Sequence, residues 1–226
     1  MLDFLTNPEF WARWLGIVLI DLTLAGDNAL VIALAVRTLP ARQQLWGRIW
    51  GTFGAVSLRV IFIALVSTLL TIPLLQVVGA LLLIWIALKL VRPFGSGSAH
   101  VRQGTTLREA IWIIVLADVV MSLDNVIAIS AAAHGDMKLV IFGLLLSIPL
   151  VVWGSGILSR LMGRHPWIIW IGGGVLGYVA GEMFFHDHLV EQTLGPIPSW
   201  LHKLVSLILA LIITFIGWRH ARRTTT

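Results

Sequence analysis

Two short segments of the sequence carry the residues best able to do chemistry. One reads Asp21-Leu-Thr-Leu-Ala-Gly-Asp27-Asn28, and the other, 97 residues later, reads Asp118-Val-Val-Met-Ser-Leu-Asp124-Asn125. Carboxylate and amide oxygens are hard donors that suit Mn²⁺, Mg²⁺ or Ca²⁺. The two segments therefore predict a cation site formed by Asp21, Asp27, Asn28, Asp118, Asp124 and Asn125.

Two further features narrow the choice of ion. The chain has no cysteine, which excludes thiolate metal sites and cysteine nucleophiles. Met121 is either an ordinary core methionine or a residue near the site, where its thioether would bias a set of hard oxygens away from Ca²⁺ and Mg²⁺ and towards a transition ion. Carboxylates held close together also repel one another, so some of them can carry protons when no cation is bound.

The composition places these carboxylates in a membrane. Hydrophobic residues make up 58% of the 226 residues and charged residues only 12%, and the mean hydropathy is +0.93. A soluble domain is typically about 45–50% apolar and about 25% charged. We predict an all-α membrane protein in a single domain, with seven transmembrane helices at 11–36, 49–70, 73–91, 108–133, 139–159, 166–185 and 200–218, and a linker at 93–106.

Basic residues give the predicted orientation. Twelve of the 16 Lys and Arg residues fall on one side of the seven predicted helices, whereas Asp3, Glu9, Asp136, Asp187 and Glu191 fall on the other. The positive-inside rule then puts the N-terminus outside, and the linker and C-terminus in the cytoplasm, of a bacterial-type inner membrane. The net charge of +5 thus reports orientation and predicts no nucleic-acid partner.

The two Asp-Asn segments belong to a longer internal repeat. Pro73 and Gly79 match Pro166 and Gly172 at an offset of 93 residues. Helices 1–3 (11–91) and 4–6 (108–185) then form two copies of three helices, and the seventh helix is an addition. An odd number of helices per copy makes the second copy inverted in the membrane. Inverted repeats are typical of secondary transporters that bind substrate near the midplane, although a duplication without transport is the plainer alternative.

The inverted copies predict which carboxylates meet. Helices 1 and 4 run in opposite directions, so Asp21 would lie near Asp124 and Asp27 near Asp118. A spacing of six residues turns about 240° on a regular helix, so the two aspartates of one copy would point apart. We therefore expect the helices to loosen near Gly26 and Ser122, which would also free backbone carbonyls as ligands.

Three other charged residues are candidates for gating or charge balance. Arg59 lies in the middle of predicted helix 2 and could balance the aspartates or act as a structural anchor. Lys89 lies near the cytoplasmic end of helix 3, where its side chain can reach the membrane surface. Glu182 lies near the outer end of helix 6 and is either a gate residue or a surface residue. Met121, which is uncharged, is a fourth candidate for this gating or balancing role.

The motifs at Asp21–Asn28 and at Asp118–Asn125 resemble those of the TerC integral membrane family, most closely its short branch of YjbE and YkoY type. The resemblance extends over nearly the whole chain. It implies the seven-helix, inverted-repeat architecture of LysE-like exporters and Mn²⁺ efflux from the cytoplasm. It also implies a metal role for Asp21, Asp27, Asp118 and Asp124, and less directly for Asn28 and Asn125.

The resulting hypothesis is a transporter, not an enzyme. We expect export of divalent cations, chiefly Mn²⁺, by proton antiport, with no catalytic residues and no prosthetic group. An exporter of small organic cations and a membrane chaperone or metallation factor remain alternatives. An intramembrane aspartyl hydrolase fits poorly, because neither segment has the Gly-x-Gly-Asp pattern of that class. The oligomeric state stays open, with a homodimer among the options.

Overall fold

Eight α-helices make up the part of the chain that the computed structural model describes. This part comprises residues 11, 14–15, 26–65, 72–91, 106–133, 137–195 and 198–223, and it contains no β-strand. The helices are α1 (Gly26–Val36), α2 (Ala41–Ala64), α3 (Leu75–Val91), α4 (Leu107–Ala133), α5 (Met137–Arg164), α6 (Trp167–Phe185), α7 (His188–Leu194) and α8 (Ser199–Arg223). The predicted all-α class is confirmed.

Length and composition make four of these helices candidate membrane spans, namely α2, α5, α6 and α8. Helices α1 and α3 are apolar but shorter within the described ranges. Helix α4 has 27 residues, or about 40 Å at 1.5 Å per residue, and carries Asp118 and Asp124. Large apolar side chains such as Trp153 and Leu211 are exposed, whereas Arg59 and Asp118 are buried. This arrangement suits a protein whose surroundings are lipid.

Helix ends differ from the prediction where hydropathy alone set them. Helix α2 begins at Ala41 after Pro40, not at 49, because a hydropathy window excludes its polar first turns. It ends at Ala64, with a turn at Leu65, and the predicted residues 66–70 lie outside the described ranges. Of predicted helix 1, the structure describes only residues 11, 14–15 and 26–36, and of the predicted linker only Thr106.

The predicted loosening of helix 4 near Ser122 is wrong. Helix α4 is continuous from Leu107 to Ala133, and the Ser122 hydroxyl bonds to side chains and not to the backbone. The start of α4 follows a capping pattern, since Thr106 Oγ1 accepts a hydrogen bond from the Glu109 amide at 3.2 Å. Residues 16–25, directly before Gly26, lie outside the described ranges, so the loosening expected there stays a prediction.

Helix α7 was not predicted from the sequence. It has seven residues, and Asp187 caps it by accepting a hydrogen bond from the Leu189 amide at 3.0 Å. Such a short polar helix gives no apolar periodicity, but an aspartate just before it is a recognised start signal.

Glycines allow α6 to pack closely against α8. A Cβ atom placed on Gly181 would lie 2.6 Å from Ser206 Cα, and one on Gly177 would lie 3.3 Å from the Leu209 carbonyl oxygen. Larger residues at these positions would force the two helices apart.

A side-chain clamp joins the end of α1 to α2 and α5. The Gln44 amide Nε2 donates to the Leu39 carbonyl at 2.8 Å and to the Arg37 carbonyl at 3.3 Å. Its Oε1 accepts from Ser159 Oγ at 3.4 Å. Burial lowers the pKa of Arg37 to about 10, so this residue still carries a positive charge at neutral pH.

Candidate functional site

A buried ion pair joins α2 to α4. Arg59 Nη2 donates to Asp118 Oδ1 at 2.5 Å, and Arg59 Nε donates to Ser122 Oγ at 3.0 Å. The Ser122 hydroxyl in turn donates to Asp118 Oδ2 at 3.1 Å. Asp118 and Ser122 are four residues apart, so they share one face of α4. This pairing supports both roles considered for Arg59, since it balances the charge of Asp118 and anchors α2 to α4.

Asp27 and Asn28 bring α1 to the same place. Asp27 Oδ1 accepts a hydrogen bond from the Asn28 amide at 2.9 Å, and the carboxylate lies within electrostatic range of both Arg59 and Asp118. The Asn28 side chain is buried, and its Oδ1 has no hydrogen-bond partner. Asn28 and Asp118 line one cavity, so α1 and α4 meet here, whereas the predicted proximity of the Asp27 and Asp118 carboxylates stays a prediction.

A small cavity of about 20 Å³ lies between α1, α2, α4 and α5. A cavity of this size holds about one water molecule. Its polar walls are Asn28, Thr52, Arg59, Asp118 and Ser147, and Met121 is among its apolar walls. The buried Thr52 hydroxyl, like Asn28 Oδ1, has no hydrogen-bond partner. Buried polar atoms without partners are rare in folded proteins and call for a partner such as water or an ion.

The donors around this cavity fit a hard or borderline cation only in part. Counting only the side chains that the structure describes, ionised Asp27 and Asp118 leave one net negative charge after Arg59. Arg59 occupies both oxygens of Asp118, one directly and one through Ser122. Within the described residues no three His, Asp or Glu side chains cluster as a metal site.

Three of the predicted ligands lie beyond the described part of the chain. Asp21 is outside the described residues altogether. Asp124 and Asn125 belong to α4, but their side chains are outside the description. The predicted meeting of Asp21 with Asp124 therefore stays a prediction.

Lys89 lies apart from the cavity. Its Nζ pairs with Glu109 Oε1 at 2.5 Å and lies 5.0 Å from the centre of the Trp85 ring. This ion pair joins α3 to α4, so Lys89 links two helices and balances a carboxylate other than those predicted.

Glu182 and Met121 line a second cavity, of about 150 Å³, between α4 and α6. One oxygen of Glu182, Oε1, is buried and has no hydrogen-bond partner. Met121 borders both cavities. Glu182 is thus more than a surface residue.

Sequence reasoning missed three polar contributors, namely Thr52, Ser122 as a bridging hydroxyl, and Ser147. Each is a small polar residue within an apolar helix, which was the signal available. Pro149 was also overlooked; it lies inside α5, where it removes an amide donor from the helix. Ser147 and Val151 on either side of it line the first cavity.

Comparison with known proteins agrees with these features. The model of the integral membrane protein TerC family matches residues 6–225. The chain is 43% identical over 198 residues to the uncharacterized membrane protein YjbE of Bacillus subtilis, covering 84% of this chain and 90% of that protein. It is 25% identical to the UPF0053 inner membrane protein YgdQ of Escherichia coli over 72% of this chain and 76% of the relative. No solved structure matches the chain. With a match over nearly its whole length, the chain belongs to the TerC family of integral membrane proteins.

Proposed function

We propose that the protein is a secondary transporter that exports divalent metal cations, chiefly Mn²⁺, from the cytoplasm in exchange for protons. The observation that carries this proposal is the small cavity lined by Asp118, where Asn28 and Thr52 present buried oxygens without partners. Asp27 precedes Asn28 in α1. Burying ionised aspartates in a membrane costs about 2.5–3.5 kcal/mol each on insertion scales. Such a cost is borne at sites that bind or conduct cations.

Arg59 acts in this proposal as a resident cation. Its guanidinium neutralises Asp118 in the conformation described, so a metal ion must displace it to use that carboxylate. A guanidinium that leaves when the ion enters would couple occupancy of the site to movement of α2 against α4. Because Arg59 stays charged, the compensating protons must be carried by the carboxylates.

The architecture proposed is seven spans in two inverted repeats, with the N-terminus outside. Helix α2 of the first repeat packs against α4 of the second, and α1 and α5 meet at the first cavity. In the proposed repeat, α1, α2 and α3 correspond to α4, α5 and α6. Exchanging the two copies therefore turns the contact of α2 with α4 into the contact of α5 with α1. Helix α3 packs against α6, its counterpart in the other copy. These contacts support the repeat, and rocking of one copy against the other would open the cavity to alternate sides.

Coupling to protons follows from the membrane potential. A negative interior opposes export of a divalent ion by about 4.6 kcal/mol per 100 mV, twice the value for one charge. Inward movement of protons supplies the free energy that export against this potential requires. Protons can also replace the metal on Asp27, Asp118 and, by prediction, Asp21 and Asp124.

The size of the first cavity favours a monatomic ion over an organic cation. Sites for small organic molecules have volumes of about 300–1,000 Å³, far above the roughly 20 Å³ found here. A chaperone or metallation role does not require this cavity and can coexist with export.

Flux through sealed proteoliposomes tests the proposal. We expect saturable Mn²⁺ uptake that a pH gradient drives, with weak competition by Mg²⁺ and Ca²⁺. Asp27→Asn should reduce the flux at least tenfold while the protein still inserts and elutes as a single species. Glu191→Gln, which neutralises an exposed carboxylate of α7, is the matched control and should leave the flux unchanged.

Three results would each overturn a part of the assignment. Absence of flux for any divalent ion, in protein shown to be folded, would contradict metal export and favour the organic-cation and chaperone alternatives. Full flux in Asp27→Asn and in Asp118→Asn would remove the cavity as the transport site. Flux that ignores the pH gradient would rule out proton antiport while retaining the transporter.

A further inference from the structure

The second cavity combines donors of a different chemical character from the first. Its walls include the carboxylate of Glu182, the imidazole of His186, the phenol of Tyr178, and the thioethers of Met121 and Met183. Tyr178, Glu182 and His186 follow one another at intervals of four residues, so they occupy one face of α6. The first cavity, in contrast, has no nitrogen ligand of the imidazole type among its lining residues.

The carboxylate in this second cavity lacks a protein partner. Glu182 Oε1 is buried with no hydrogen bond, although the rest of the side chain is half-buried. His186 ends α6, and its exposed ring lies at the rim of the cavity. A buried carboxylate oxygen without a partner beside an imidazole at the rim is an arrangement that a cation would complete.

Backbone packing preserves the shape of this cavity. Gly79 of α3 lies against Met183, and a Cβ at Gly79 would come within 2.6 Å of the Met183 methyl and 3.1 Å of Val120. The absence of a side chain at Gly79 therefore leaves room for the thioether of Met183 at the cavity wall. Glycine at this position also preserves the contact of α3 with α4.

We infer that this cavity is a second metal site, which takes a first-row divalent transition ion such as Mn²⁺, Fe²⁺ or Co²⁺. An imidazole ligand favours transition ions over Mg²⁺ and Ca²⁺, which prefer oxygen alone, and the carboxylate and water are ligands that also suit Mn²⁺. At about 150 Å³ the cavity also leaves space for water, so the ion would keep part of its hydration shell. Glu182 and His186 supply the anchoring ligands.

The position of Met121 connects the two cavities. This side chain borders both, so an ion that leaves the first cavity past Met121 enters the second. In the proposed orientation the Glu182 end of α6 faces the outside. The second site is then the exit station of the transport path, and this placement rests on the proposed export function, whereas metal binding at the site does not.

Mn²⁺ binding to the purified protein, followed by electron paramagnetic resonance, tests the inference. We expect two bound ions in the wild type, and one in Glu182→Gln and in Asp27→Asn. Pulsed measurements should detect ¹⁴N coupling from an imidazole in the wild type and in Asp27→Asn, and none in His186→Ala. His165→Ala, at the opposite end of α6, is the matched histidine control and should retain the nitrogen signal.

The outcomes separate this inference from the proposed function. Mn²⁺ flux without any ¹⁴N coupling would overturn the second site and leave export standing. Nitrogen coupling that His186→Ala removes, in protein that shows no flux, would support the second site and overturn export. A wild type that binds one ion, with a stoichiometry unchanged in Glu182→Gln, would also overturn the second site.

Discussion

At the scale of single residues, the buried Arg59 decides how the candidate site behaves. Its guanidinium pairs with Asp118 directly and through Ser122, and both charged partners are almost inaccessible. A guanidinium presents a rigid fork of donors that a lysine ammonium lacks. The pair therefore holds α2 against α4 in a defined position, and it also sets the net charge that an entering cation meets.

Removing one member of this pair should cost more than removing both. We expect Arg59→Gln to lower the free energy of unfolding by about 3–5 kcal/mol, because it leaves Asp118 buried and uncompensated. Adding Asp118→Asn should restore part of this loss, giving a coupling of about 1–3 kcal/mol. Thermal unfolding of the four proteins in one detergent measures this coupling. Strictly additive effects would show that the two side chains do not depend on each other.

The charged residues of the site could be predicted from the sequence, whereas its small hydroxyl residues could not. Aspartates and an arginine within apolar runs are costly, so Asp27, Asp118 and Arg59 stood out in the sequence, and the structure pairs Arg59 with Asp118. Thr52, Ser122 and Ser147 were missed because small hydroxyl residues are common in membrane helices and bond to backbone as readily as to a site. The pairing of Arg59 with Asp118 depends on how α2 crosses α4, which no local pattern contains.

At the scale of helices, hydropathy predicted which helices exist better than it predicted the residues at which they begin and end. The bounds of α3, α6 and α8 agree with the predicted segments to within a few residues, because apolar runs coincide with those helices. Helix α2 begins eight residues before its predicted start, since its first turns contain Arg42, Gln43 and Gln44. Helix α4 stays continuous at Ser122, where side-chain bonds satisfy Asp118 and Ser122 without opening the backbone.

The contact of α6 with α8 should depend on the absence of a side chain at Gly181. In Gly181→Ala, the new Cβ would meet the Ser206 backbone at 2.6 Å, so α8 has to move. We expect a loss of about 1–3 kcal/mol, typical of overpacking, measured by thermal unfolding. Gly154→Ala in α5 is the control, since a Cβ there meets nothing within 4 Å. Equal stability of the two variants would contradict close packing at Gly181.

At the scale of the whole molecule, polarity is arranged for lipid surroundings. Apolar side chains cover α5 and α8 on their outer faces, while charged groups meet between α1, α2 and α4. Charge is also divided along the helix axes: Arg160 and Arg164 lie where α5 ends, and Asp187 and Glu191 lie beyond the other end of α6. A single helix thus separates a basic end from an acidic end, which is the observation on which the proposed orientation depends.

This division can be measured directly because the chain contains no cysteine. We expect Gln192→Cys, in α7, to react with a membrane-impermeant maleimide in intact bacterial cells. Gly163→Cys, near the basic end of α5, should react only after the membrane is opened. The wild type gives the background, and denatured samples confirm that both cysteines are reactive. Labelling of both positions from outside would mean that α6 does not cross the membrane, and the reverse pattern would invert the protein. Either result would show that the acidic end of α6 does not lie outside the membrane. Glu182 and His186 could then not form the exit of the transport path.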